Sequence, residues 1–264
     1  MNAVIGKPIK HSMSPVLHNK MYRLLGIESE LIKDEDESIA NLVERIKQTP
    51  YELTAVTMPY KQDIIPLLDE IDVDAKEIGS INTVINIDGI LKGYNTDIYG
   101  IEYSLRDIDI ENKNVLIIGA GGVARTVMYV IKKMRGNIMC ANRTIEQAES
   151  LVEEFGGKVV QLEEVLPENV DIIINTTSVG MYPDIDMSLV PKEFLQSKHT
   201  VFDIVYNPIQ TKFLLEAEEI GAKIISGLDM FIAQGIRQIE LWQDINIDIG
   251  EHKKNIKTLL TKNV

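Results

Sequence analysis

Asn114-Val-Leu-Ile-Ile-Gly119-Ala120-Gly121-Gly122-Val123-Ala124 carries four consecutive apolar residues into a glycine-rich turn. The apolar run reads as a strand, and the residues from Val123 to Met134 read as an amphipathic helix. Between them the spacing is G-x-G-x-x-A. In that pattern Gly119 permits a tight turn, Gly121 lets the backbone approach a pyrophosphate, and the small Ala124 lets the helix pack closely on the strand. A dinucleotide-binding half is therefore expected around this segment.

Downstream, a strand over Ile138 to Ala141 ends in Asn142-Arg143-Thr144. An acidic residue at this strand tip would bond the ribose 2′-hydroxyl of NAD, whereas an arginine accommodates the 2′-phosphate of NADP. Arg143 thus favours NADP, with Thr144 as the N-cap of a helix from Ile145 to Phe155. Strands follow at Val159-Val160, Asp171 to Asn175 and Thr200 to Val205, then a helix from Thr211 to Ile220 and a strand from Lys223 to Ile225. This alternation predicts a doubly wound sheet. Two helical segments, Phe231 to Gln243 and Ile249 to Leu260, close the chain.

Upstream, Ala3 to Gly6, Ser29 to Ile32 and Leu53 to Val56 read as strands. Helices are expected over Pro15 to Leu25, with Ser14 as N-cap, and over Ile39 to Lys47. Asp88-Gly89 between Ser80–Ile87 and Ile90–Tyr94 is a strong hairpin signal. A helix from Ile98 to Leu105 leads into a polar stretch, Arg106 to Lys113, that could carry a domain boundary.

Composition removes several function classes. The 264 residues hold 27 Lys and Arg against 40 Asp and Glu, a net charge of −13, which argues against a broad nucleic-acid surface. Cys140 is the single cysteine, so no intrachain disulfide can form, and the four histidines are scattered; no metal site is expected. Without a run of about 20 apolar residues, or an apolar start long enough for a signal peptide, a cytoplasmic protein without membrane contact is expected.

Short polar residues gather at the expected strand ends: Ser12, Ser14, Thr57, Lys61, Asn82, Asn95 and Asp97. Parallel α/β sheets bind ligands at such ends. Each residue also has a local explanation; Pro59, for example, would open a helix with Lys61 in its first turn. Together they suit a polyol, and reduction of a ketone needs a proton donor near the developing alkoxide, which Lys61 and Asp97 could supply.

The chain resembles the shikimate dehydrogenase family along almost its whole length. The resemblance rests on Gly6-Lys-Pro-Ile-Lys-His-Ser-Met-Ser14-Pro, Val56-Thr-Met-Pro-Tyr-Lys61, Ile81-Asn82-Thr-Val, Gly93-Tyr-Asn95-Thr-Asp97, Gly119-Ala-Gly-Gly122, Asn142-Arg-Thr144, Asn175-Thr-Thr177, Asp203-Ile-Val-Tyr206-Asn-Pro208 and Gly227-Leu-Asp-Met230 followed by Gln234-Gly. It implies NADPH-dependent reduction of 3-dehydroshikimate to shikimate, on the route through chorismate to aromatic amino acids. It also implies an N-terminal three-layer α/β substrate domain (1–101 plus 236–264) and a Rossmann-like doubly wound dinucleotide-binding domain (102–235), with a cleft between them. Lys61 and Asp97 would be the catalytic pair. Ser12 and Ser14 would hold the substrate carboxylate, while Thr57, Asn82, Asn95, Gln234 and Tyr206 would meet the rest of the substrate. Gly119 to Ala124, Asn142, Arg143, Thr144, Thr176, Gly227 and Met230 would meet the cofactor. A monomer or homodimer is expected.

Three positions depart from the family pattern: Ala55 stands where an asparagine is usual, Ile98 where glycine follows the aspartate, and Gln147 where a second basic residue is usual. Losing half of a basic clamp weakens NADP selection, so NAD use and quinate as substrate define an alternative within the family. Two readings outside it are a methylene-tetrahydrofolate dehydrogenase-like enzyme, against which the Ser12/Ser14 pair argues, and a non-catalytic cofactor sensor, against which Lys61 and Asp97 argue.

Overall fold

Apolar runs of four or five residues separated by amphipathic helices can bury themselves only as strands covered by helices. The computed structural model describes residues 1–49 and 51–261 and shows two six-stranded sheets built this way. The chain divides into two compact units, Met1–Tyr99 with the segment from Ile232 onward, and Gly100–Phe231.

The first unit comprises β1 (Asn2–Ile5), α1 (Ser14–Leu25), β2 (Leu31–Asp34), α2 (Ile39–Gln48), β3 (Leu53–Val56), β4 (Glu70–Ile71), α3 (Val73–Ile78), β5 (Thr83–Ile87), β6 (Ile90–Tyr94) and the start of α4 (Asp97–Leu105). Its sheet order is β2-β1-β3-β5-β6-β4. β1 pairs in parallel with β2 and β3, whereas β5 runs antiparallel to both β3 and β6. Consequently the C-terminal ends of β1, β3 and β6 share one edge with the N-terminal end of β5. The apolar stripe Leu42, Val43 and Ile46 of α2 packs on Ile5, Val56 and Val84 in the core.

The second unit comprises β7 (Asn114–Ile118), α5 (Gly122–Lys133), β8 (Asn137–Ala141), α6 (Ile145–Phe155), β9 (Lys158–Val159), β10 (Ile172–Asn175), β11 (Thr200–Asp203), α7 (Lys212–Glu219) and β12 (Lys223–Ser226). All six strands are parallel in the order β12-β11-β10-β7-β8-β9, the doubly wound arrangement that the glycine turn predicts. α8 (Gly227–Gln243) begins in this unit and ends in the first, where α9 (Ile249–Thr261) packs on α1. No helix among the described residues is long and apolar enough to cross a membrane.

Several expectations need correction. Ser14 is the first helical residue of α1, not its cap: Leu17 N–H donates to the Met13 carbonyl at 3.1 Å, so the helix starts one residue early. No α-helix follows Pro59. Residues 58–64 run as successive turns with mostly i to i+3 hydrogen bonds, and a single 3-10 turn over Ile65–Leu67 follows them. β2 begins at Leu31 rather than Ser29. β11 stops at Asp203, whose Oδ1 accepts the Val205 N–H at 3.0 Å and turns the chain. α8 starts four residues before Phe231, with the Ser226 hydroxyl accepting from Leu228 N–H at 3.3 Å. The short β4 and α3 have no counterpart in the sequence reading.

Candidate active site

The shared edge of the first sheet collects the polar residues. After β1, Gly6 is tightly enclosed: a Cβ there would lie 2.5 Å from Thr57 Cγ2 and 2.9 Å from the Met58 carbonyl oxygen. That glycine lets the chain leaving β1 run against the chain leaving β3. Ser12 and Ser14 follow, both half-buried, with the Ser12 hydroxyl accepting from Ser14 N–H at 3.3 Å. Thr57 is half-buried just beyond β3, and Lys61 stands in the run of turns that follows it.

Lys61 and Asp97 meet. The ammonium Nζ lies 2.6 Å from Asp97 Oδ2, with side-chain exposures of 19% and 6%, too buried for water to replace the partner easily. Asn82 Nδ2 donates to the other carboxylate oxygen at 2.9 Å and also approaches Thr96 Oγ1 at 3.0 Å and Gln234 Oε1 at 3.3 Å. Two amide hydrogens serve these three acceptors, and Gln234 holds the longest contact. The Asn82 amide can face only one way, because its Oδ1 accepts the Thr96 backbone N–H at 2.7 Å and a backbone N–H cannot accept. Asn95 holds the turn itself: its Nδ2 donates to the Ser80 carbonyl at 2.9 Å and its Oδ1 accepts Asp97 N–H at 3.1 Å. Each oxygen of the Asp97 carboxylate therefore has a donor, and the lysine is held where a carbonyl oxygen could receive its proton.

Sequence reasoning passes over three members of this network, Thr83, Thr96 and Gln238. Gln238 Nε2 donates to Thr83 Oγ1 at 2.9 Å. The available signal is Gln238 lying one helical turn beyond Gln234 on α8. Ala55 is buried in β3, and Ile98, beside Asp97, is half-buried.

In the second unit the C-terminal ends of β7, β8, β10, β11 and β12 likewise share one edge. Gly119 adopts φ +116°, and a Cβ there would sit 2.4 Å from Thr176 Oγ1. Gly121 caps α5 without a side-chain hydrogen bond, and a Cβ there would meet nothing within 4 Å. The turn thus leaves the first amides of α5 open to an anion, which fits a dinucleotide pyrophosphate held by Gly119, Ala120, Gly121, Gly122 and Val123, while Ala124 is fully buried. Arg143 and Thr144 are exposed beyond β8, and Arg143 forms no ion pair among the described residues. Asn142 Nδ2 donates to Gln147 Oε1 at 3.0 Å and to the Thr144 carbonyl at 2.9 Å. The Thr176 hydroxyl is spent on the Ile118 carbonyl at 2.8 Å. Gly227 allows close backbone approach, since a Cβ would lie 2.2 Å from the Ile204 carbonyl oxygen; Met230 is buried. Tyr206 stacks on Phe231 at 4.2 Å between ring centroids, within this same unit. No cluster of metal-ligating side chains occurs among the described residues, and Cys140 is buried with its thiol pushed up to about 11.

A doubly wound parallel sheet with an open glycine turn, carried on the same chain as a buried lysine–aspartate pair, defines a dinucleotide-dependent oxidoreductase of two α/β units. Residues 4–84 match the model of the shikimate dehydrogenase substrate-binding domain, and residues 103–205 match that of shikimate / quinate 5-dehydrogenase. The chain belongs to the shikimate dehydrogenase family. It is 43% identical over 250 residues to the shikimate dehydrogenase (NADP(+)) of Pyrococcus abyssi, covering 93% of each chain. The crystal structure of the Thermus thermophilus shikimate 5-dehydrogenase in complex with NADP(H) and shikimate superposes with a TM-score of 0.88 at 31% identity, covering 98% of this chain and 100% of that one. The Listeria monocytogenes enzyme in complex with shikimate and NAD gives 0.85 at 30% identity, covering 98% and 95%.

Proposed function

We propose that this chain catalyses the reversible NADPH-dependent reduction of 3-dehydroshikimate to shikimate, a step toward chorismate and the aromatic amino acids, as a cytoplasmic monomer or homodimer. The observation that carries the reading is the 2.6 Å Lys61–Asp97 pair, braced by Asn82, at the edge where Ser12, Ser14, Thr57 and Gln234 also lie. NADPH, when bound, supplies the hydride. Lys61 holds a proton at Nζ and delivers it to the substrate carbonyl oxygen as the carbon is reduced; in the reverse direction Nζ takes it back. Asp97 keeps Nζ oriented and in its charged form. Ser12 and Ser14 offer hydroxyls to the substrate carboxylate, and Thr57, Asn82 and Gln234 offer polar groups to the ring hydroxyls. Arg143 meets the 2′-phosphate.

The test is a matrix of steady-state rates with shikimate and quinate against NADP and NAD. Shikimate with NADP should give the highest kcat/KM. Faster turnover of quinate would overturn the substrate assignment, and equal kcat/KM with NAD would overturn the cofactor assignment. One observation favours dual cofactor use: the neutral Gln147, bonded to Asn142, stands where a second cation would face the phosphate.

A further inference from the structure

The first unit contains two buried polar atoms that face each other's side chains without forming a hydrogen bond, His18 Nε2 and Gln238 Oε1. His18 is fully buried on α1 and Gln238 is 2% exposed on α8. Buried polar atoms are rarely left unpaired, so this one needs a reason. The reason lies at the other end of the Gln238 amide. Its Nε2 donates to Thr83 Oγ1 at 2.9 Å and to the Asn82 carbonyl at 3.2 Å. Turning the amide over would satisfy the His18 ring nitrogen, but it would set Gln238 oxygen against the Asn82 carbonyl oxygen and strip Thr83 of its donor. The orientation present keeps two hydrogen bonds toward Asn82 and Thr83 and gives up one toward His18.

Those two bonds direct a proton. Thr83 has one hydroxyl hydrogen, and because Gln238 donates to its oxygen that hydrogen is free to go to Asn82 Oδ1, 2.8 Å away. Asn82 Oδ1 thereby receives Thr83 as well as the Thr96 N–H, and Asn82 Nδ2 is held against Asp97 Oδ1 at 2.9 Å. At the far end His18 Nδ1 lies 2.9 Å from the Ser14 carbonyl, one turn back on the same helix. We infer that Gln238 is a positioning residue for the Lys61–Asp97 pair, acting through Thr83 and Asn82, while His18 bonds back to the first turn of its own helix. The inference rests on the reading of Lys61 and Asp97 as the catalytic pair.

Gln238→Met and Thr83→Val, alone and combined, test it in a double-mutant cycle on shikimate oxidation by NADP. Each single change should lower kcat about tenfold with the KM for NADP unchanged, and the pair should lose no more than either alone, because both cut one link. Losses that multiply to about a hundredfold, or a KM for NADP that rises with thermal destabilisation, would overturn the inference. Should Gln238→Met not fold, Thr83→Ser against Thr83→Val reads the same link: serine should restore kcat, and equal loss in both would count against it. If the wild type oxidises no shikimate, the functional reading fails separately, and the network is read from the Asn82 side-chain amide signals by NMR. Gln238→Met should shift both of these protons, and unchanged signals would refute the positioning role.

Discussion

At the residue scale, the lysine–aspartate pair is the feature most exposed to a single change. Lys61→Ala removes the proton donor while leaving the Asp97 carboxylate paired with Asn82, so kcat should fall by about 10²–10⁴-fold with the fold intact. Asp97→Asn should be nearly as damaging, because the amide either presents NH2 to the lysine ammonium or turns it on Asn82, a donor against a donor either way. Steady-state kinetics with thermal melts of the same variants check both, and kcat within twofold of wild type would remove Lys61 from the chemistry. Arg143→Ala should raise the KM for NADP roughly tenfold and leave that for NAD nearly unchanged, since only NADP carries the phosphate it meets. Lys61, Asp97 and Asn82 were legible in the sequence because they sit in short polar motifs beside strand signals. Thr83 and Gln238 were not: a threonine inside a β-strand and a glutamine inside a helix carry no local mark of the hydrogen bond joining them across 155 residues.

At the element scale, the β7–α5 turn separates folding from binding in two glycines. Gly119 needs φ +116° and has no room for a Cβ, so Gly119→Ala should destabilise the second unit by about 1–3 kcal/mol. Gly121 has an ordinary φ of −86° and open space around it, so Gly121→Ala should leave the melting temperature within a degree or two while raising the KM for NADP, because the added methyl occupies the path of the pyrophosphate. Thermal melts and cofactor titrations of the two variants check this, and equal destabilisation would show that Gly121 is structural as well. The turn was readable because its glycines answer to local backbone and contact demands. So was the hairpin, whose Asp88-Gly89 both take positive φ. The segment after Thr57 was misread because Pro59 suggests an α-helix start, whereas the backbone there closes mostly i to i+3 hydrogen bonds and forms only turns and the 3-10 segment Ile65–Leu67. β4, two residues long, owes its existence to β6 beside it and has no periodicity of its own.

At the scale of the whole molecule, a net charge of −13 would repel anionic ligands if it were spread evenly; the open amides of α5, Arg143 and Lys61 provide the local exceptions. Two buried titratable groups, one in each unit, make the units respond oppositely to acid. Burial lowers the His18 imidazole from 6.5 to about 4, so below pH 6.5 the unfolded chain takes up a proton that the folded first unit refuses, and that unit loses stability as the pH falls. Burial raises the Asp203 carboxyl from 3.8 to about 6 despite hydrogen bonds from Thr211, Val205 and Asn175. The folded second unit therefore holds a proton that the unfolded chain has released, and it gains stability as the pH falls through 6 toward 3.8. His199, also lowered by burial, opposes Asp203 in that unit. Between about pH 6.5 and about pH 5, linkage gives a loss of about 1.5 kcal/mol from His18 and a gain of about 1 kcal/mol from Asp203 before His199 subtracts its share. Native-state hydrogen exchange, corrected for intrinsic rates, should show protection falling at Thr54–Val56 of β3 over this interval and not falling in step at Ile172–Ile174 of β10. His18→Phe should abolish most of the loss at β3 and leave β10 unchanged, whereas a parallel loss in both sheets that survives His18→Phe would place the acid sensitivity in surface carboxylates instead.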